Sequence, residues 1–273
     1  MSLLKLAALT AAVAGFLCGS VGFHTFRMGV TTLSFTVAHA ALAGAAVGLV
    51  FGLDVSYTAL AAAVAAALLL GVLFTRITFE RELVSMGLFS ASSALALLSI
   101  YYANTRVLAT TNVAMLLWGS VLTVTPFKFL MLLAVASAFS LYCVAYRHQV
   151  DSIIYDKRMA EAEGVNVALH TSALLLFSGC SIALTFMLVG GFLVFALLYN
   201  PVMSALSLAR NARAQLALSS LLGAASALSG LAISYAYDVP VGTSIALASV
   251  VVLVASSALS KLMRVIASSS SRA

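Results

Sequence analysis

The chain has 273 residues, of which 63% are hydrophobic and only 8% are charged, and its formal net charge is +6. A soluble globular protein carries about 25% charged residues, so this chain cannot cover itself with polar surface, and most of its surface must face lipid. The basic excess does not indicate nucleic-acid binding, because the 14 Lys and Arg residues lie in short loops and at the ends of apolar segments. The composition therefore predicts an all-α, polytopic integral membrane protein with no nucleic-acid partner.

Apolar segments long enough to cross a bilayer recur along the whole chain. A spanning helix needs about 20 apolar residues, and the segments that meet this length are 3–23, 30–50, 57–75, 83–102, 127–146, 171–189, 192–209, 214–235 and 243–263. The first segment resembles a signal peptide but has a weakly charged start, so we interpret it as a retained span. A shorter segment, 107–118, is predicted to be re-entrant or interfacial. Only Gly190 and Gly191 separate the sixth span from the seventh, so the count is eight or nine, and nine is favoured.

The distribution of basic residues predicts the orientation. Basic residues cluster after alternate spans, at Arg27, Arg76, Arg81, Arg147 to Arg158, Arg210, Arg213, Lys261 and Arg264. The turns at Asp54, 190–191 and Asp238 lack such clusters. Because cytoplasmic loops carry an excess of Lys and Arg, nine spans place the N-terminus outside and the C-terminus inside. We expect a single membrane domain over 1–273, with a disordered tail at 266–273.

One cytoplasmic loop, 147–170, is both long and polar, and it holds four of the eight acidic residues. Asp156 is predicted to cap a short helix that ends at Gly164, since glycine suits a C-terminal stop. Apolar residues are interspersed among its charges: Ile153, Ile154, Tyr155, Met159 and Val165. This pattern is typical of a docking element for a soluble partner. A solvated helix that lies on its own protein or on the membrane remains an alternative.

Five motifs together resemble the ABC-type metal-ion importer permeases. "YDKRMAEAEGVNV" (155–167) is similar to the cytoplasmic loop of that family, with Tyr155, Asp156, Ala160 and Gly164 at matching positions. The other four motifs are "AHAALAGAAVGLVFG" (38–52), "LLWGSVLTV" (116–124), "LVGGFLVFALLYNPVMSA" (188–205) and "SYAYDVPVGTSIAL" (234–247). The motifs occur in the family's order and cover most of the chain.

The resemblance implies a helical permease bundle in the cytoplasmic membrane that acts as a homodimer. Two ATP-binding subunits would dock on the coupling loop, at Tyr155, Asp156, Ala160, Glu161 and Gly164. An extracytoplasmic solute-binding protein would dock near 103–125 and 236–243, including Asp238, and would deliver Zn(II), Mn(II) or Fe(II). The chain contains no GxxxxGK[ST] phosphate loop, so ATP would be hydrolysed by the partner. We therefore predict no catalytic residue and no resident cofactor in this chain.

His39, near the middle of the second span, is the predicted contact for the transported metal. The family motif reads Asp-x-x-x-His-Ala, but here Phe35 occupies the position of the carboxylate. Thr32 and Thr36 share the helix face of His39, so the predicted pathway has an imidazole and hydroxyls but no charge. Neutral imidazole suits Zn(II) and other borderline metals, whereas hard ions prefer carboxylate oxygens. Alternatively, His39 is hydrogen-bonded to a neighbouring helix and serves only packing.

Further features and alternatives concern the path and the cargo. Gly190, Gly191 and Pro201 predict a broken helix whose freed carbonyls would line a cavity. Because Phe35 replaces the carboxylate, an ABC permease for a chelated metal or a small solute stays an alternative. An ion-coupled secondary transporter would need a titrating group inside the bilayer, yet all eight acidic residues lie in loops or near span ends.

Overall fold

The computed structural model describes residues 3–76, 81–107 and 124–270, which form helices joined by short turns. The helices are α1 (Leu3–Arg27), α2 (Leu33–Phe51), α3 (Val55–Arg76), α4 (Arg81–Tyr102), α5 (Pro126–Ala145), α6 (Arg147–Tyr155), α7 (Lys157–Ala162), α8 (Val167–Val189), α9 (Gly191–Leu208), α10 (Ala212–Tyr237) and α11 (Val241–Ser270). A π-helical turn, Ala103–Val107, extends α4. No strand occurs among these residues, so the all-α prediction is confirmed.

Eight of the described helices are long and apolar enough to cross a membrane: α1, α2, α3, α4, α5, α8, α10 and α11. The seventh predicted span, 192–209, corresponds to α9, a helix of 18 residues whose apolar part, Leu193–Leu208, is shorter than the other eight. The prediction of eight to nine membrane helices is thus confirmed. The predicted re-entrant segment, 107–118, lies outside the described residues apart from Val107. Helix α11 is assigned up to Ser270; the disorder expected over 266–273 stays a prediction.

The first compact unit comprises residues 24–191, and α2 is its central helix. Helix α2 packs against α3, α4 and α8, and α8 also packs against α3 and α5. The small residues Gly44 and Gly48 allow this close packing, since a Cβ at either position would collide with Thr58 of α3. Gly52 has no such neighbour and instead ends α2 with a φ of 66°, which glycine adopts without strain.

The two ends of this unit differ in their number of basic residues. Lys157 Nζ lies 3.4 Å from the carbonyl oxygen of Met28, so the polar loop between α5 and α8 lies beside the turn that precedes α2. At the opposite end of α2, Ser56 Oγ and Lys128 Nζ are 3.5 Å apart. Because Arg27, Arg147 and Arg158 belong to the first end, the positive-inside rule favours that end as cytoplasmic. This grouping supports the predicted orientation.

The second compact unit comprises residues 1–23 and 192–273. In it α1 packs on α10 through Gly15 and Gly19, whose missing side chains leave room for the backbone of Gly223 and Ser219. Gly22 makes the same kind of approach to Leu198 of α9. Helix α10 also packs against α11. The single domain expected over 1–273 stays a prediction.

Candidate functional site

His39 lies on the face of α2 that packs against α4. It is partly buried, and its Nδ1 atom is 2.9 Å from Oγ of Ser93. Its ring meets Phe89 edge-on, with the two ring centroids 4.5 Å apart. The hydrogen bond to a neighbouring helix, which we considered as the alternative to metal contact, is therefore present. It occupies one of the two ring nitrogens.

Phe35 extends the aromatic contact one helical turn from His39. Its ring meets Phe89 in a T-shaped arrangement at 6.3 Å, so a single phenyl group on α4 contacts both side chains. An aromatic ring offers no ligand to a metal ion. At position 35 the α2–α4 interface is therefore apolar, whereas the family motif has a carboxylate at this position.

The two threonines predicted to line the pathway differ in their bonding. Thr36 is fully buried, and its hydroxyl donates to the carbonyl oxygen of Ser85 at 2.7 Å, which ties α2 to α4. Thr32 Oγ1 and Ser85 Oγ are also buried, and neither has a hydrogen-bond partner among the described residues. Of the two threonines, only Thr32 thus retains an unbonded hydroxyl.

Glu82 is a site residue that the sequence analysis missed. Its carboxylate accepts hydrogen bonds from Thr31 N at 2.8 Å, from Thr31 Oγ1 at 3.2 Å and from Thr32 N at 3.2 Å. A carboxylate is favourable there, because the free N–H groups and the dipole of α2 both attract negative charge. The only sequence signal was an acidic residue at the start of a span.

Within the part of the chain that the structure describes, no three His, Cys, Asp or Glu side chains come together to hold a metal ion. The polar side chains described beside His39 at the α2–α4 interface include the hydroxyl groups of Thr32, Thr36 and Ser93. A site built from these described side chains alone could bind a cation only transiently.

The loop 147–170, which we predicted to be cytoplasmic, folds into two short helices, α6 and α7, where we predicted one. Asp156 separates them and caps α7, because its carboxylate accepts from Arg158 N at 2.7 Å and from Met159 N at 3.1 Å. Gly164 follows α7 with a φ of 83°, which suits glycine. Helix α6 was not predicted, although Val150, Ile153 and Ile154 have the spacing of one helix face, and Val150 and Ile153 are buried.

The exposed apolar surface of this loop is narrower than its sequence indicated. Ile153 and Ala160 are buried with Val167 in a small core that joins α6, α7 and α8. Tyr155 and Met159, in contrast, are 85% and 54% exposed. We define the coupling surface, whose docking role stays a prediction, as Tyr155, Met159 and the exposed Glu161. Ala160 holds the loop together from inside and is not available to a partner.

The ends of α5 and α8 that adjoin this loop contact each other through their side chains. The hydroxyl of Tyr142 lies 2.7 Å from Nδ1 of His170, and the ring of Tyr146 packs against the same imidazole at 5.1 Å. Cys143 Sγ lies 3.7 Å from Nε2 of the buried His24. These contacts connect the base of the loop to the helices.

The backbone at the predicted helix break and at the predicted outer turn is described by a few residues. Gly190 ends α8 with a φ of 106°, and α9 begins at Gly191. Pro201 lies inside α9, and the preceding Asn200 donates from Nδ2 to Ser249 Oγ at 2.8 Å. Asp238 is the exposed C-cap of α10 in a left-handed conformation. Its contact with a binding protein stays a prediction.

Most of the chain matches one known protein family. Residues 1–260 match the sequence model of the family described as "ABC 3 transport family". The chain belongs to this family. As a member, and with eight long apolar helices among its described residues, it is a multi-pass cell-membrane protein of the ABC transporter permease type.

Several relatives of this member of the ABC 3 transport family have names that refer to manganese or iron transport. It is 28% identical to the "Manganese transport system membrane protein MntC" of Listeria monocytogenes, over 92% of this chain and 88% of that protein. It is 25% identical to the "Manganese import system permease protein ScaB" of Streptococcus gordonii, over 93% and 90%. A "Probable iron transport system membrane protein" of Haemophilus influenzae is 25% identical over 94% and 93%.

Solved structures share the architecture of this ABC 3 family chain. PsaBC from Streptococcus pneumoniae in complex with Fab superposes with a TM-score of 0.77 at 25% identity, covering 94% of this chain and 91% of that chain. The family assignment removes the ion-coupled secondary transporter from the alternatives. The recognition of an ABC metal-importer permease from five short motifs is confirmed at the level of the family.

Proposed function

We propose that this chain is the membrane-spanning subunit of an ATP-driven importer of divalent metal ions. Two copies would form the translocation pathway, and cytoplasmic ATPase subunits would dock on the coupling surface. An extracytoplasmic binding protein would deliver manganese, iron or zinc from the other side. The observation that carries this proposal is the match, over nine-tenths of the chain, to relatives named for manganese and iron transport.

The chemistry of the His39 face bears on which metal is moved. The carboxylate of Glu82, on the neighbouring helix α4, is already bonded to the backbone N–H groups of Thr31 and Thr32 at the N-terminus of α2. An imidazole without a carboxylate suits zinc and other borderline ions better than manganese, which prefers oxygen ligands. The names of the relatives favour manganese or iron. The uptake measurement must therefore offer all three metals.

A chelated metal is the second candidate cargo. The contact of Phe35 and His39 with Phe89 makes this part of α2 aromatic rather than ionic. An organic chelator would shield the charge of the metal and would tolerate such surroundings, whereas a bare cation gains little from them. Competition between free and chelated metal distinguishes the two cargoes.

The test is metal uptake by the complete transporter in proteoliposomes, with radiolabelled manganese, iron and zinc offered separately. His39→Ala should strongly reduce uptake of the transported metal while the ATPase subunits still bind. His148→Ala is the matched control, because His148 is an exposed residue of α6. Unchanged uptake in His39→Ala would show that His39 serves packing only. Absence of uptake of every free metal by the wild type would favour the chelated cargo.

A further inference from the structure

Ser93 has a bonding pattern that determines which nitrogen of His39 carries the proton. Its hydroxyl lies 2.8 Å from the carbonyl oxygen of Phe89, four residues earlier in α4, and 2.9 Å from Nδ1 of His39. A hydroxyl has one proton to donate, and a carbonyl oxygen can only accept. If Ser93 donates to the carbonyl, the imidazole must donate from Nδ1 to the hydroxyl oxygen. This is the one arrangement in which both short contacts are hydrogen bonds.

The other ring nitrogen is then left as an acceptor. A neutral imidazole with its proton on Nδ1 has a lone pair on Nε2, and imidazole binds a metal through such an unprotonated nitrogen. Within the described residues, Nε2 of His39 has no hydrogen-bond partner. The imidazole is only partly buried, and its contact with Phe89 restricts the rotation of the ring.

We propose that Ser93 is a positioning residue that holds His39 in the Nδ1-protonated tautomer and so presents Nε2 to the transported cation. The assignment of Nε2 as the ligand atom rests on the proposed function, whereas the assignment of the tautomer does not. The hydrogen bond across the α2–α4 interface thereby serves both packing and ligand orientation. Partners of metal-binding histidines act in this way in many metal sites, where they fix tautomer and ring direction.

The tautomer is tested directly by nitrogen-15 NMR of histidine-labelled protein in lipid bilayers. The chain has only four histidines, and His39→Ala identifies the signals of His39. At neutral pH we expect a protonated Nδ1 and an unprotonated Nε2 for His39, and a loss of this preference in Ser93→Ala. A protonated Nε2 in the wild type, or an unchanged tautomer in Ser93→Ala, would overturn the proposal.

The proposed role of Nε2 as a metal ligand is tested by measuring metal uptake in single and double mutants of the complete transporter. Ser93→Ala should weaken the apparent affinity for the transported metal about 10- to 100-fold, the usual effect of removing a partner of a metal ligand. Ser93→Thr should restore it, because a threonine hydroxyl can make the same bond to the carbonyl four residues earlier. Ser90→Ala is the matched control, because Ser90 is an exposed serine on the same helix.

Ser93→Ala should have no additional effect in the His39→Ala background, because it acts only through the imidazole. Additive losses would mean that Ser93 acts independently of His39, and this would overturn its positioning role. If His39→Ala reduces uptake but Ser93→Ala does not, the proposed function holds and the role of Ser93 is wrong. If neither variant affects uptake, Nε2 is not a ligand, and the metal-contact part of both proposals fails.

Discussion

Gly15 and Gly223 face each other across α1 and α10 so closely that neither position has room for a side chain. A Cβ on Gly15 would collide with the carbonyl group of Gly223, and a Cβ on Gly223 would collide with that of Gly15. The contact is backbone against backbone on both sides, and no flexible side chain can move aside. Such small-residue contacts let membrane helices approach closely and gain packing energy that apolar lipid cannot match.

Gly223→Ala is therefore expected to destabilise the protein. Forcing one methyl group into this contact should cost about 1–3 kcal/mol, although alanine is intrinsically the better helix former by about 1 kcal/mol. Gly87→Ala is the control, because nothing lies within 4 Å of a Cβ built at Gly87 in α4. Thermal unfolding in detergent should show a lower midpoint for Gly223→Ala and an equal or higher one for Gly87→Ala. Equal midpoints for Gly223→Ala and wild type would contradict the packing described here.

Glu82→Ala should loosen the N-terminus of α2. The change removes a carboxylate that accepts three hydrogen bonds from Thr31 and Thr32, and hydrogen bonds to a charged group contribute about 1.5–3 kcal/mol. Glu161→Ala, at an exposed position of α7, should leave stability unchanged. Thermal midpoints and the hydrogen-exchange rates of the Thr31 and Thr32 amides measure the effect. Exchange as slow as in the wild type would rule out the capping role.

Tyr155→Ala should weaken binding of the ATPase subunit without affecting the stability of the permease. Tyr155 is 85% exposed, so its truncation removes contact area from the coupling surface and leaves the interior of the loop intact. Truncating a central tyrosine of an interface often costs 2 kcal/mol or more, about 30-fold in Kd. Tyr237→Ala is a control at an equally accessible tyrosine, 75% exposed, in α10. An unchanged Kd for the Tyr155 variant would place the docking surface elsewhere.

Tyr142→Phe tests the connection between α5 and α8 at the base of the coupling loop. The change removes the hydroxyl that lies 2.7 Å from Nδ1 of His170. His170 is only 8% exposed, and a buried nitrogen without a partner costs about 1–3 kcal/mol. A lower thermal midpoint is expected relative to wild type. Tyr101→Phe, at a tyrosine 66% exposed on α4, should have no such effect, and equal midpoints for both variants would contradict the hydrogen bond.

The membrane-spanning helices could be predicted from local sequence because each span is determined mostly by its own composition. About 20 consecutive apolar residues must cross the bilayer as a helix, since no other structure satisfies the backbone hydrogen bonds of an isolated segment there. The cap at Asp156 is equally local, because the side chain and the N–H groups it accepts from are two or three residues apart. Helix α6 was missed although Val150, Ile153 and Ile154 have helical spacing; only the structure shows that Ile153 is buried with Ala160 and Val167.

The sequence by itself thus determined the fold class, the family resemblance and the presence of a histidine within α2. Only the tertiary structure decided how each polar side chain is used. Thr36 and His39 share one helix face, yet Thr36 donates its proton to Ser85 while His39 bonds Ser93 through a single nitrogen. Glu82 is 50 residues from Thr32 in sequence but bonds its amide. Hydrogen bonds between helices depend on the register at which the helices pack, and no pattern within one helix encodes that register.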